Sequence, residues 1–227
     1  VLELAFPSLR TLRLPQADRV HSEEPQARQF LSWGLLRFLV DCGYTPSREI
    51  VVLCIGTDRS TGDSLGPLTG SKLTLRRGRT FAVYGTLENP VHAANLAESL
   101  ERILHLHRDP FIIAIDACLG KTDHVGCISV KSGPLRPGTG VNKNLPAVGQ
   151  VHVIGVVNVG GFMEYLVLQN TRLALVMKMA DIIADSLYDS LSQVAAATAR
   201  RQPGTTPGSS ADRAPRPRSE QAAPPSP

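Results

Sequence analysis

Residues 50–66 read IVVLCIGTDRSTGDSLG. The run Ile50–Ile55 is short, rich in β-branched residues and closed by Gly56, the pattern of a strand buried on both faces rather than one alternating between core and water. Beyond the loop, Pro67 favours a helix that runs to about Leu75, because proline is tolerated in a first helical turn. Moving outward, Thr80–Tyr84 and Phe111–Ile115 (FIIAI) read as further strands. Between them Val91–His107 places Leu96, Leu100, Ile103 and Leu104 at helical spacing. Val125–Val130 and Val151–Val157 add strands, and Phe162–Leu187 reads as one long closing helix with Leu166, Leu173, Met177, Ala180 and Ala184 inward. Upstream, a helix from Glu23 to near Gly43 puts Phe30, Leu31, Leu35, Phe38 and Leu39 on one face. Strands alternating with helices require right-handed crossovers, so the expected fold class is α/β, a three-layer α/β/α sandwich with a mostly parallel sheet.

A chain of 227 residues with 42% hydrophobic content supports one sizeable core. The expected organisation is an N-terminal arm over 1–20, a single domain over 21–192, and a disordered tail over 193–227 rich in Pro, Arg and Ala. Seven of the 17 prolines fall in 203–227, a composition that buries too little apolar surface to offset chain entropy. The net charge of +4 is mostly the tail's: Arg200, Arg201, Arg213, Arg216 and Arg218 face only Asp212 and Glu220, a net +3 that leaves +1 elsewhere. No basic face and no nucleic-acid partner are expected for the folded body. No apolar run approaches the roughly 20 residues that cross a bilayer, and the first residues lack a signal peptide's apolar segment, so no membrane partner and a cytoplasmic location are expected. Cys42, Cys54, Cys118 and Cys127 lack paired C-x-x-C spacing and read as reduced, buried thiols. Self-association is left open.

Open parallel sheets bind ligands beyond the carboxyl ends of their strands, which singles out the loops 56–66, 85–92 and 116–123. The first is neither a phosphate loop nor a dinucleotide fingerprint, because Gly66 is followed by Pro67-Leu68. Its Gly62-Asp63-Ser64-Leu65 spells the motif of a serine esterase family with Ser64 as nucleophile. That family places the motif directly after its first strand and takes acid and base from a late D-x-x-H. Here the motif begins six residues beyond Gly56, no D-x-x-H follows it, and His152, the last histidine, has Gly149 at the required spacing. Ser64 remains a minor alternative.

Asp63 and Asp116 are the stronger candidates. Asp63 precedes a helix, where a capping role competes with chemistry. Asp116 follows FIIAI directly, so a carboxyl is placed where a buried strand emerges and its burial must be offset by a proton, a cation or hydrogen bonds. Two such acids either share a proton and activate water or share a divalent metal that does so. Asp58, Glu88, His92, His124 and Glu164 are the candidate extra site residues or ligands, each with an ordinary reading as a solvated, turn or helix-end group. The segment Ser132–Gly149 is too long for a simple connection and reads as a substrate loop, with Arg136 and Lys143 to meet an acidic substrate.

The segments GTDRSTGDSLGPLTG, VYGTLENPVHAANL, IIAIDACLG, VGCISVKSGPLRPGTGVNKNLPAVG and NVGGFMEYLVLQNTRL, within Val52–Leu187, resemble the sporulation protein YyaC family of endospore-forming bacteria. That family is described as a spore protease and is similar to the germination protease and, more distantly, to the hydrogenase-maturation endopeptidases. The resemblance implies a phosphorylase/hydrolase-like sandwich and endopeptidase activity on a spore or sporulation protein in the cytoplasm of the sporulating cell or spore. The germination protease's acid pattern T-x-D-x-L-G-P falls on Asp63, and its I-D-A pattern on Asp116. The maturation endopeptidases hold a metal with corresponding acids and a histidine that has no motif match here. The chain shows no segment resembling the germination protease's propeptide, so activation and substrate range do not carry over. A non-catalytic sporulation binding protein on the same fold is the alternative expectation.

Overall fold

The computed structural model describes residues 18–137 and 145–200. Its six-stranded sheet comprises β1 (Arg19–His21), β2 (Ile50–Cys54), β3 (Ala82–Tyr84), β4 (Phe111–Gly120), β5 (Cys127–Ser132) and β6 (Val151–Val159), in the order β1-β5-β6-β4-β2-β3. The helices are α1 (Ala27–Asp41), α2 (Leu65–Thr74), α3 (Leu96–Leu106), α4 (Glu164–Gln169) and α5 (Leu173–Ala199). β6, β4, β2 and β3 are parallel neighbours, and β5 and β1 add antiparallel to the other edge. The sheet is therefore mixed, a parallel centre with an antiparallel flank.

Alternation along the central strands divides the core in two. Val52 and Cys54 of β2 and Phe111, Ile113 and Ile115 of β4 face α1, α2 and α5. Val51 and Leu53 of β2 and Ile112 and Ala114 of β4 face the other way, onto α3 and a ribbon carrying Leu135 and Val148. Every residue of β2 is buried, as a strand covered on both faces requires; each such aliphatic side chain contributes about 1.5–3 kcal/mol of transfer free energy. Small residues let α1 and α5 approach closely: Ser186 Oγ donates to Arg28 O at 3.0 Å and Ser190 Oγ to Ser32 O at 3.1 Å.

The two sides of the sandwich are unequal. One is a continuous layer of three helices, whereas the other has one helix and the base of the 132–149 segment, pinned as a ribbon by reciprocal backbone bonds between Leu135 and Val148, each 2.8 Å. His152, buried in β6, holds this ribbon through Nδ1 and the Gly133 carbonyl, 2.8 Å apart. A ribbon covers less surface than a helix, and beneath it the sheet keeps an open cavity.

Several boundaries differ from the sequence reading. Arg19–His21, expected in a loose arm, forms an edge strand against β5. The helix expected from Val91 begins at Leu96, because Asn95 closes a turn first: its Oδ1 accepts from His92 N at 2.8 Å and its Nδ2 donates to Pro90 O at 3.0 Å. The single closing helix is two, broken between Asn170 and Arg172. That break resets the helical phase, so Leu166, Leu173 and Met177 are exposed and Val176, Met179, Ile183 and Leu187 are buried with Ala180 and Ala184. α5 also runs to Ala199, through residues assigned to the tail, because Val194 continues its buried stripe. The rest of the expected tail, 201–227, lies outside the described residues.

Candidate active site

β4 is longer than the FIIAI run and carries Asp116 within it, because residues 116–120 keep pairing with β6 after β2 has ended. The last β2 partner is Cys54 opposite Ile115, so Asp116 is the first β4 residue with no β2 neighbour. Its side chain shares the ribbon-facing side of the strand with Ala114 and Cys118. β2 ends at Cys54, Gly56 follows two residues on, and the chain returns through a 3₁₀ turn at Gly62–Ser64 into α2. This return is tight. Gly56 has φ +145°, and a Cβ there would collide with the Asp63 carbonyl oxygen; a Cβ on Gly66 would collide with Ile55 O. Thr57 N donates to Asp63 O at 3.2 Å. Two glycines thus clamp the acid-bearing turn onto the end of β2.

Asp63 and Asp116 open on one cavity of about 520 Å³. Ile55, Leu135, Leu145, Ile154 and Leu168 supply its apolar wall, and Thr57, His92, Cys118, Arg136, Glu164 and Tyr165 its polar rim. Asp116 lines this space, and the sole hydrogen bond to its side chain among the described residues is from Ala117 N at 2.9 Å. Poor solvation, with Asp63 adding to it, pushes the Asp116 carboxyl up to about 8. Asp63 is also raised, by burial first, with the neighbouring Ser60 hydroxyl favouring its charged form. Ser60 Oγ nevertheless makes no hydrogen bond of standard geometry. The Cys118 thiol is pushed up to about 11 by burial and by Asp116, which keeps it protonated and a poor nucleophile.

The other sequence candidates separate by position. His92, Glu164 and Arg136 line the acid cavity. Asp58 is exposed beside Thr57 Oγ1 at 3.5 Å and does not line it. Glu88 faces a neighbouring cavity, where its Oε2 accepts from Ser71 Oγ at 3.4 Å. His124 sits beyond the antiparallel flank, 2.8 Å from Arg19 Nη1. Lys143 lies outside the described residues. Ser64 is buried and donates to Thr61 O at 2.6 Å; occupied with its own turn and absent from the cavity wall, it does not serve as an esterase nucleophile. Neither the 3₁₀ turn nor α2 draws a side-chain capping bond, so capping does not account for Asp63.

Sequence reasoning missed Cys118 and Tyr165. Extending the expected strand three residues past Ile115 would have found Cys118, which shares Asp116's face by strand alternation. Tyr165 had no signal within a helix read as continuous. Among the described residues no three of His, Cys, Asp and Glu come together as a metal-binding group, so those residues do not form a ready site for a divalent metal. No helix among the described residues is long and apolar enough to cross a membrane.

A family model described as "Protein of unknown function (DUF1256)" matches residues 19–186. The chain is 59% identical over 140 residues to the uncharacterized protein YyaC of Bacillus subtilis (strain 168), covering 62% of this chain and 68% of that one. Among solved structures it is similar to a NiFe-hydrogenase maturation protease, HycI from Thermococcus kodakarensis KOD1, with TM-score 0.43 and 14% identity over 63% of this chain and 92% of that chain.

Proposed function

The chain belongs to the DUF1256 family, and for it we propose a peptidase that activates water with Asp63 and Asp116. The observation that carries this reading is the coupled pair in one cavity, with Asp116 raised to about 8 partly by the charge of Asp63. Near neutrality such a pair holds one proton. Asp116, the more poorly solvated member, keeps it and donates to the substrate carbonyl oxygen. Asp63, closer to solvent, takes a proton from the attacking water. Water oxygen bonds to the carbonyl carbon, the carbonyl oxygen takes the Asp116 proton, and collapse of the diol returns that proton to Asp116 as the C–N bond breaks. The leaving nitrogen receives the proton held by Asp63. This is the division of labour expected of two carboxyls whose environments differ.

The apolar wall excludes bulk water and suits the side chains beside a scissile bond, while Arg136 and Glu164 set opposite charges at the rim. The substrate proposed is a spore or sporulation protein, as the resemblance carried by the sequence motifs implies. The test is cleavage of purified spore-coat and spore-core proteins by wild type, Asp63→Asn and Asp116→Asn. Both variants are expected to lose cleavage; equal rates in all three would remove the acid-pair mechanism, and no cleavage by any of them would leave the binding-protein reading.

A further inference from the structure

Beside the acid cavity lies a second one of about 560 Å³ that the mechanism does not use. Its walls are the end of β3 (Val83, Tyr84, Gly85) and the face of α3 carrying Ser99 and Arg102. β3 is the last strand of the sheet and pairs only with β2, so its outer backbone edge has no strand partner among the described residues. A free edge facing a helix across a trough is the arrangement in which an extended peptide adds as one more strand. His92 lines both cavities, so the trough and the acid site are neighbours that share that residue as a wall. Arg102 has no ion pair among the described residues, and Ser99 Oγ no hydrogen bond.

The register gives the span. Tyr84 lies beside Leu53, and Leu53 beside Ala114, two residues before Asp116. A strand added outside β3 would be three strand spacings across and two residues along from Asp116, roughly 16 Å at about 4.8 Å per strand and 3.3 Å per residue, a span that about five extended residues cover. The 86–92 turn walls the trough without filling it, held by Thr86 N donating to Asn89 O at 3.1 Å and Leu87 N donating to Ser71 Oγ at 2.9 Å.

We infer that the substrate is an unfolded polypeptide segment, bound as an added strand along β3 in the trough against α3, about five residues from the bond placed at Asp63 and Asp116. The occupant rests on the peptidase reading, and the mode of binding on the free edge and its position next to the acid cavity at His92. A folded surface does not supply a bare backbone to pair with β3, so the enzyme selects flexible segments. Main-chain pairing provides affinity, and the side chains facing Ser99 and Arg102 provide selectivity.

The experiment selects peptides from a randomised 12-residue library against the full chain carrying Asp116→Asn, then measures amide hydrogen exchange with the best binder. Exchange across residues 82–86 is expected to slow at least tenfold. Peptide N-methylation at alternate positions, which removes pairing N–H groups without touching the protein, is expected to weaken binding at least tenfold, as is Ser99→Trp, which fills the trough. Absence of any binder, or binding that leaves 82–86 unprotected and tolerates N-methylation, overturns the inference. If wild type cuts the peptide while 82–86 stay unprotected, the trough fails and the peptidase reading stands. If 82–86 are protected and the peptide stays uncut, the trough stands and hydrolysis fails.

Discussion

Replacing Asp116 with asparagine is expected to stabilise the protein at pH 8 while leaving it unchanged at pH 4. The carboxyl titrates at 3.8 without its surroundings and at about 8 within them. Between those values the unfolded chain releases a proton that the folded chain keeps, so folding stability falls as pH rises, by up to about 1.4 kcal/mol per unit. Over the whole window the difference is on the order of 5 kcal/mol. Asp116 borders a cavity that admits water, so the discounted expectation is about 2–4 kcal/mol. Asparagine does not titrate, and its side-chain oxygen still accepts from Ala117 N, so the variant should lack this component. Urea unfolding of both proteins at half-unit steps from pH 4 to pH 8 reads it directly. Groups that do not interact with Asp116 cancel in the difference, which should be near zero at pH 4 and grow in the variant's favour up to pH 8. A flat difference, or a variant less stable at pH 8, would refute the claim that the acid is held protonated by burial.

Hydrolysis should follow a bell in pH, its alkaline limb near 8 as Asp116 loses its proton and its acid limb above the ordinary carboxylate range because burial raises Asp63; initial rates against pH check this. Dialysis against a chelator should leave the rate within about twofold, because the described residues form no ready metal site, and recovery of lost activity by an added divalent cation would contradict it. Gly56→Ala should lower stability by about 2 kcal/mol or more and abolish cleavage, since the new methyl meets the Asp63 carbonyl at a strained φ; thermal unfolding and rate measurements report the two effects. Ser64→Ala should cost about 1 kcal/mol for its bond to Thr61 O and leave cleavage intact, whereas total loss would revive the hydroxyl as nucleophile.

The parallel centre was legible because β2 and the first half of β4 are apolar runs bounded by glycine or charge, a signal that survives without tertiary context. On the antiparallel flank β5 was read as a strand but β1 was not, since Arg19–His21 is three residues long and forms only because β5 offers it an edge. Extension of β4 past Asp116 was hidden for a similar reason: Ala117–Gly120 are strand by virtue of β6, and their local composition reads equally as loop. The break before α5 was masked by a hydrophobic pattern continuous enough to suggest one helix. At the site, both acids could be named from position and motif, but separating His92, Glu164 and Arg136 from Asp58, Glu88 and His124 required knowing which loops share a side of the sheet. Charge alone did not rank them.

That β4 outruns β2 has a consequence for how this chain can change over generations. The two acids hang from different strands, one at the end of β2 and the other just past β2's last partner on β4, so their separation is set by register. Inserting one residue between Phe111 and Ile115 would turn Asp116 to the opposite face and move it by about 3.3 Å, destroying the pair while keeping every residue. Substitutions of similar volume along the same stretch are far milder. The turn between α2 and β3, exposed around Arg77–Arg79, sets no such spacing and accepts added length. Selection on these strands therefore acts on residue count before residue identity, and length variation among descendants belongs in the outer turns.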